Sequence, residues 1–250
     1  MPTLHELRST RESDLELLER FYQDAFIPEF PDRNEREPLA NIEEYLHRKE
    51  TGWYGKNNYH VVVMCDGDKP IGGSISDYLV EPNAGFIEYI VMQPDCRGRG
   101  YGRRLLEHTE RLLHEDAEKR GGRLDWIVIE VDDPYNTHGP ANRFDPFTRV
   151  RVWDAWGYRL VDFPYVQPAL SSDREPVDNL LLAAKTCSER FGESVPSNDV
   201  CRLVREYFRC SIEVADGNEE LEKMCQFLRH QGSLRLVPFS EYLGREKRVH

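Results

Sequence analysis

Arg97, Gly98, Arg99, Gly100, Tyr101 and Gly102 interleave glycine with larger side chains, and Arg103 and Arg104 follow directly. Glycine reaches positive φ at little steric cost and lets another group approach the backbone. Upstream, residues 86–92 read FIEYIVM, a strand-like run, and downstream Leu105, Leu106, Thr109, Leu112, Leu113 and Ala117 recur at helical spacing. The turn therefore opens a helix, whose first N–H groups lack intrahelical acceptors and sit at the positive end of its dipole. That is the chemistry of anion binding, and a pyrophosphate fits it. A P-loop is excluded because no GKS or GKT is present. The dinucleotide fingerprint fails too, since positions 98, 100 and 103 hold Gly, Gly and Arg. The plain alternative is a strand-to-helix turn that uses glycine for geometry alone.

Other titratable residues lie nearby in the chain. His138 stands in DPYNTHGPANRFDP, bounded by glycine and proline, where an imidazole titrates near neutrality. Its alternative is an ordinary surface histidine. Glu130, Asp132 and Asp133 end an apolar strand and form either an acidic pocket for a cationic amine or the opening of an Asp-Pro turn.

The elements that must position these groups are legible from periodicity. A short strand is predicted near Leu4–Ser9, then a helix capped at Ser13 with Glu16 completing a capping box and Pro28 and Pro31 ending it. A second helix carries Ile42, Tyr45, Leu46 and Lys49. YHVVVMC, IGGSISDYLV and FIEYIVM, separated by turns, predict a three-strand meander. After the long helix come the strand LDWIVIEV, a short helix ending at Gly157, and the strand VDNLLLAAK. Strands mixed with helices around a meander imply an α/β or α+β sandwich. From about Cys187 the texture turns helical, which predicts a domain over 1–186 and a helical extension over 187–250.

With 250 residues, 39% of them hydrophobic, the chain can bury a sizeable core. No run of about 18 apolar residues appears, so no membrane span is expected. The charged start MPTLHELRSTRESD lacks the apolar centre of a secretory signal, and a cytoplasmic location is expected. The six cysteines show no CxxC pair, which points to reduced thiols and no zinc site or other metal centre. A formal charge of −12 speaks against nucleic acid as the partner and favours a cationic one.

The run from Arg97 to Gly102, preceded by a strand and Pro94, resembles the signature of the GNAT acyltransferases: Arg or Gln, two residues, Gly, one residue, then Gly or Ala. The order of elements over roughly residues 3 to 185 is also similar to that family. The resemblance implies a GNAT fold, a mainly antiparallel mixed sheet flanked by helices, and acetyl-CoA as acyl donor. It implies that main-chain amides from Arg97 through Gly98, Arg99, Gly100, Tyr101 and Gly102 to Arg103 hold the pyrophosphate. The backbone of Ile90, Val91, Met92 and Gln93 would accompany the pantetheine arm and polarise the thioester carbonyl.

Some family members use a glutamate on this strand as a base toward the amine, and Glu88 stands there; strict alternation would put it on one face with Ile90 and Met92. The family's proton-donating tyrosine position is occupied by Trp153, and its asparagine by Pro146. Tyr135 or His138 would then supply the proton to the departing thiolate, or none is supplied. The resemblance thus implies an N-acetyltransferase acting on a primary amine, most simply a small molecule, possible as a homodimer. Three alternatives stay open: a carrier-protein donor, an aminoacyl-tRNA donor, or a CoA-binding sensor without turnover.

Overall fold

The structure is a computed structural model, and it describes residues 1–52, 54–136, 144–170, 173–213 and 217–245. The chain divides into two compact units, Met1–Leu124 and Asp125–His250. In the first unit, β1 (Thr3–Glu6), β2 (Asn58–Asp66), β3 (Lys69–Leu79) and β4 (Ala84–Met92) pair in sequence, every pair antiparallel. Against them lie α1 (Glu12–Phe21), a short α2 (Ile27–Glu29), α3 (Leu39–Thr51) and the long α4 (Tyr101–Lys119). The meander is therefore as expected from the alternation, with β1 added at its edge.

Two local expectations fail. Helix α1 starts at Glu12 with Arg11 as its cap residue, so Ser13 lies inside the first turn and no capping box forms. The Asp14 carboxylate accepts from the Arg8 N–H instead, at 3.0 Å. Pro28 does not stop the helical path either. The backbone widens into a π-helical turn over Tyr22–Phe26 and continues through Ile27–Glu29. Proline has no N–H and crowds the carbonyl four residues back. That carbonyl, of Asp24, accepts from Gln93 Nε2 at 3.1 Å.

Close backbone approach fixes the core of the meander. A Cβ on Gly73 would stand 2.6 Å from the Val62 carbonyl oxygen and 2.7 Å from the Phe21 ring, so only glycine lets α1 lie on β3. On the opposite face α4 buries Leu105, Leu106, Thr109, Leu112 and Leu113, and Thr109 Oγ1 lies 2.7 Å from Ser74 Oγ.

The second unit holds β5 (Trp126–Asp132), α5 (Pro146–Ala155), β6 (Arg159–Val161), β7 (Leu180–Thr186), β8 (Ser194–Pro196), α6 (Ser197–Cys210), α7 (Glu219–Arg229), β9 (Ser233–Val237) and α8 (Phe239–Arg245). The antiparallel pairs β5 with β7, β7 with β6, β6 with β9 and β9 with β8 build its sheet. The C-terminal stretch is thus helical in α6, α7 and α8, and it also contributes β8 and β9. β8 has three residues, too few for alternation, whereas β9 does alternate, with Leu234 and Leu236 buried and Ser233 and Arg235 exposed. No helix among the described residues is long and apolar enough to cross a membrane.

A buried ion network ties three elements of the first unit together. His60 on β2 reaches Glu6 of β1 through Nδ1 at 2.8 Å and Asp116 of α4 through Nε2 at 2.7 Å. Burial pulls the His60 pKa down, but the hydrogen bonds to Asp116 and Glu6 outweigh it and leave it raised above 6.5. The hydrogen bond from His60 lowers Glu6 from 4.5 to about 2, against the opposing effect of burial. The histidine's contribution is complete below its unfolded value and fades as pH rises through the folded one. The glutamate's is complete above 4.5 and fades as pH falls toward 2. Replacing His60→Gln should therefore cost most stability near about pH 5.5 and progressively less toward about pH 8.5. Urea unfolding at a series of pH values measures this, and a cost that does not vary with pH would refute it.

Candidate active site

Strand β4 runs through Gln93 into a single 3₁₀ turn, Pro94–Cys96, and the glycine-bearing segment then enters α4. Gly98 has φ +72° and Gly100 φ +79°, conformations that favour glycine. A Cβ on either would meet nothing within 4 Å, so both face open space. Gly100 is the cap residue of α4, and its carbonyl accepts the first helical hydrogen bond, from Arg104 N–H at 3.1 Å. Among the described residues, no protein acceptor takes the N–H of Gly98, Arg99, Gly100, Tyr101 or Gly102. Five donors at a helix N-terminus, in space a Cβ would not fill, suit an oxyanion.

The arginines divide by role. Arg97 turns inward: its Nε donates to the Met92 carbonyl at 3.1 Å and its Nη2 pairs with the buried Glu29 carboxylate. Arg103 donates to Glu107 at 2.8 Å, and Arg104 to the Pro2 carbonyl at 2.7 Å. Arg99 is exposed and has no partner among the described residues, so it is the cation available to an arriving anion.

Glu88 lies at an irregularity that periodicity cannot show. The register pairs Tyr89 with Ile75 and Ile87 with Ser76, so Glu88 is an extra residue on β4, a β-bulge. Ile90, Met92 and Ile87 share the face of Ser74, which touches α4, and Glu88 is out of that alternation. The expectation that Glu88, Ile90 and Met92 line one face is corrected by the bulge, which breaks the period of two. Glu88 is half-buried, and its charge is felt by Tyr59 of β2. The Tyr59 hydroxyl is buried without a partner among the described residues. Burial first, then the charges of Glu88, Asp77 and Glu37, push its ionisation well above the usual phenol range. Two of these carboxylates are engaged within the fold: Asp77 accepts from the Tyr54 hydroxyl at 2.6 Å and Glu37 from the Asn41 amide at 2.5 Å.

The segment between α2 and α3 closes on this strand. The Tyr89 hydroxyl donates to the Glu35 carbonyl at 2.9 Å and accepts from the Glu37 N–H at 3.1 Å, while Phe26 and Phe30 pack edge-on against its ring. None of these contacts follows from spacing, because each joins residues more than 50 positions apart.

In the second unit, Tyr135 donates its hydroxyl to the Leu243 carbonyl at 3.0 Å, a bond that must open before its proton can go elsewhere. His138 lies outside the described residues. Trp153, on the buried face of α5, packs against Trp156 and Tyr158. Asp132 pairs with Arg149, Asp133 binds the Tyr135 N–H and the Tyr242 hydroxyl, and Glu130 binds Tyr165 and Gln167. Asp133 opens the turn at Pro134, while Asp132 and Glu130 are engaged by protein side chains.

A family model described as Acetyltransferase (GNAT) family matches residues 15–138, the stretch that contains β4, the turn and α4. The chain belongs to the GNAT superfamily. Its members transfer acyl groups from coenzyme A, and the sheet of mainly antiparallel strands flanked by helices is the GNAT fold. A putative acetyltransferase of this family from Bacteroides thetaiotaomicron is similar with TM-score 0.58 and 19% identity, over 85% of this chain and 99% of its own. The ribosomal-protein-S18-alanine N-acetyltransferase from Escherichia coli gives 0.46 and 17%, over 77% and 99%. The PaiA N-acetyltransferase from Thermoplasma acidophilum, solved with coenzyme A, gives 0.49 and 11%, over 75% and 99%. No curated protein matches the sequence. The first of these likenesses supports the GNAT fold.

Within this GNAT chain the inward arginine makes a stability prediction. Removing it by Arg97→Ala leaves the Glu29 carboxylate, 7% exposed, without its counter-charge, which should cost about 3–5 kcal/mol. Adding Glu29→Gln should recover part of that loss. Urea midpoints of the two variants test it, and an Arg97→Ala protein as stable as the parent would refute it.

Proposed function

We propose that the protein acetylates a primary amine with acetyl-CoA, by direct attack of the amine on the thioester. The observation that carries this is the set of unoccupied N–H groups from Gly98 to Gly102 at the start of α4. These amides bind the pyrophosphate, Arg99 adds a cation beside them, and the backbone of Ile90, Val91 and Met92 aligns the pantetheine arm. Acetyl-CoA supplies the acyl group activated as a thioester.

Glu88 is the base. An ammonium cannot attack, and a half-buried carboxylate at a bulge is placed to take its proton directly or through a water. The formal charge of −12 favours a cationic acceptor over an anionic one. A small-molecule amine is the simplest such acceptor. The departing thiolate takes a proton from solvent.

Calorimetric titration with acetyl-CoA, followed by thiol release across a panel of amines, tests the whole reading. Binding with no turnover on any amine would make the protein a coenzyme sensor, and absence of binding would remove the donor assignment. In Gly100→Val, a β-branched residue is forced to a positive φ and its side chain enters the anion's space. The thermal shift caused by CoA should disappear in this variant; a retained shift moves the pyrophosphate elsewhere. Glu88→Gln should lower turnover by about 10²-fold, most strongly at low pH where the amine is protonated. A pH profile parallel to that of the parent would take Glu88 out of its role.

A further inference from the structure

The second unit carries a pair of thiols that acyl transfer does not use. Cys201 on α6 and Cys225 on α7 are 24 positions apart in sequence, yet their Sγ atoms lie 3.0 Å from each other. The two helices pack together, and Val200, Leu203, Val204 and Phe208 of α6 and Leu221, Met224 and Leu228 of α7 are buried. A disulfide is about 2.05 Å long, so bonding asks for an approach of only about 1 Å.

The surroundings of the two sulfurs differ. Cys201 is partly exposed and Cys225 is buried. Arg205, one turn along α6 from Cys201, is held by Glu222 of α7 at 3.1 Å, and Glu222 also meets Arg229 at 3.4 Å. These two guanidiniums stabilise a thiolate on Cys201. The hydrogen bond with Cys225, followed by Arg205, brings the Cys201 thiol down from 9.0 to about 6, against burial. The shared proton then stays on Cys225, whose ionisation is pushed up first by that same bond and then by burial. By contrast burial pushes the Cys65 thiol up, so it is a poor nucleophile.

We propose that Cys201 and Cys225 form a redox modification site, in which a peroxide converts the dithiol to a reversible disulfide joining α6 to α7. The Cys201 thiolate attacks one peroxide oxygen, giving a sulfenic acid; the O–O bond breaks and the other oxygen leaves as hydroxide, or as alkoxide from an organic peroxide. Cys225 sulfur then attacks the sulfenic sulfur. The S–S bond forms, the S–O bond breaks, and the hydroxyl leaves as water with the Cys225 proton. Two thiol sulfurs are oxidised by two electrons in total, and the peroxide is reduced by the same two.

The test uses the full chain and hydrogen peroxide as the probe. After one equivalent of peroxide and quenching with iodoacetamide, the number of alkylated cysteines should fall from six to four. Non-reducing peptide mapping should show one cross-linked species containing Cys201 and Cys225, and dithiothreitol should restore all six. Cys225→Ser should halt at a sulfenic acid on Cys201 that dimedone captures. The proposal is overturned if the parent protein keeps six alkylated cysteines while its peroxide is consumed, or if the cross-link joins another pair. It is equally overturned if Cys201 is captured by dimedone in the parent while Cys225 remains alkylated. Mapping of the parent decides the matter even if the variant does not fold.

Discussion

A helix cannot satisfy its own first N–H groups, and among the described residues no protein acceptor takes those of Tyr101 and Gly102 at the start of α4. Most native helices cap that end with a side chain; here the cap residue is Gly100, which has none to offer. The absence of a cap is also what keeps the space in front of the donors open. Two glycines at positive φ aim the amides outward, and the apolar face of α4 holds the helix against β3 and β4 so that they stay aimed.

Around that end the first unit is tied by polar contacts rather than by apolar packing alone. Arg97 bridges the end of β4 to the buried carboxylate of Glu29, and Gln93 satisfies the carbonyl that Pro28 strips of its helical partner. The helical segment through Glu29 and the strand end before the glycine turn are therefore joined by hydrogen bonds and an ion pair. The Arg97 guanidinium turns inward, and Arg99 is exposed with no partner among the described residues. The same economy is visible at Tyr89, whose one hydroxyl fixes two backbone groups of the segment between α2 and α3.

The acidic character of the chain is distributed, and only part of it bears on chemistry. Glu6 and Asp116 are spent on His60, Asp132 on Arg149, and Glu130 on Tyr165 and Gln167. Asp77 accepts from the Tyr54 hydroxyl and Glu37 from the Asn41 amide, while Glu88 stands at a strand defect. Bulges re-aim side chains next to active sites, and this one takes Glu88 out of the pattern of its strand.

By itself the sequence determined what depends on neighbours along the chain. The meander follows from period-two runs broken by turns, α4 from its apolar spacing, and the strand-to-helix turn from glycines at 98, 100 and 102. These rest on local sterics and periodicity, which composition encodes directly. Only the tertiary structure decided that Glu88 sits in a bulge, that Arg97 faces Glu29, that Pro28 rides on a widened helical turn, and that Cys201 meets Cys225. Each of these depends on a partner strand, a packed helix or a side chain tens of residues away, and the energy of such a contact is set by geometry that no local pattern contains.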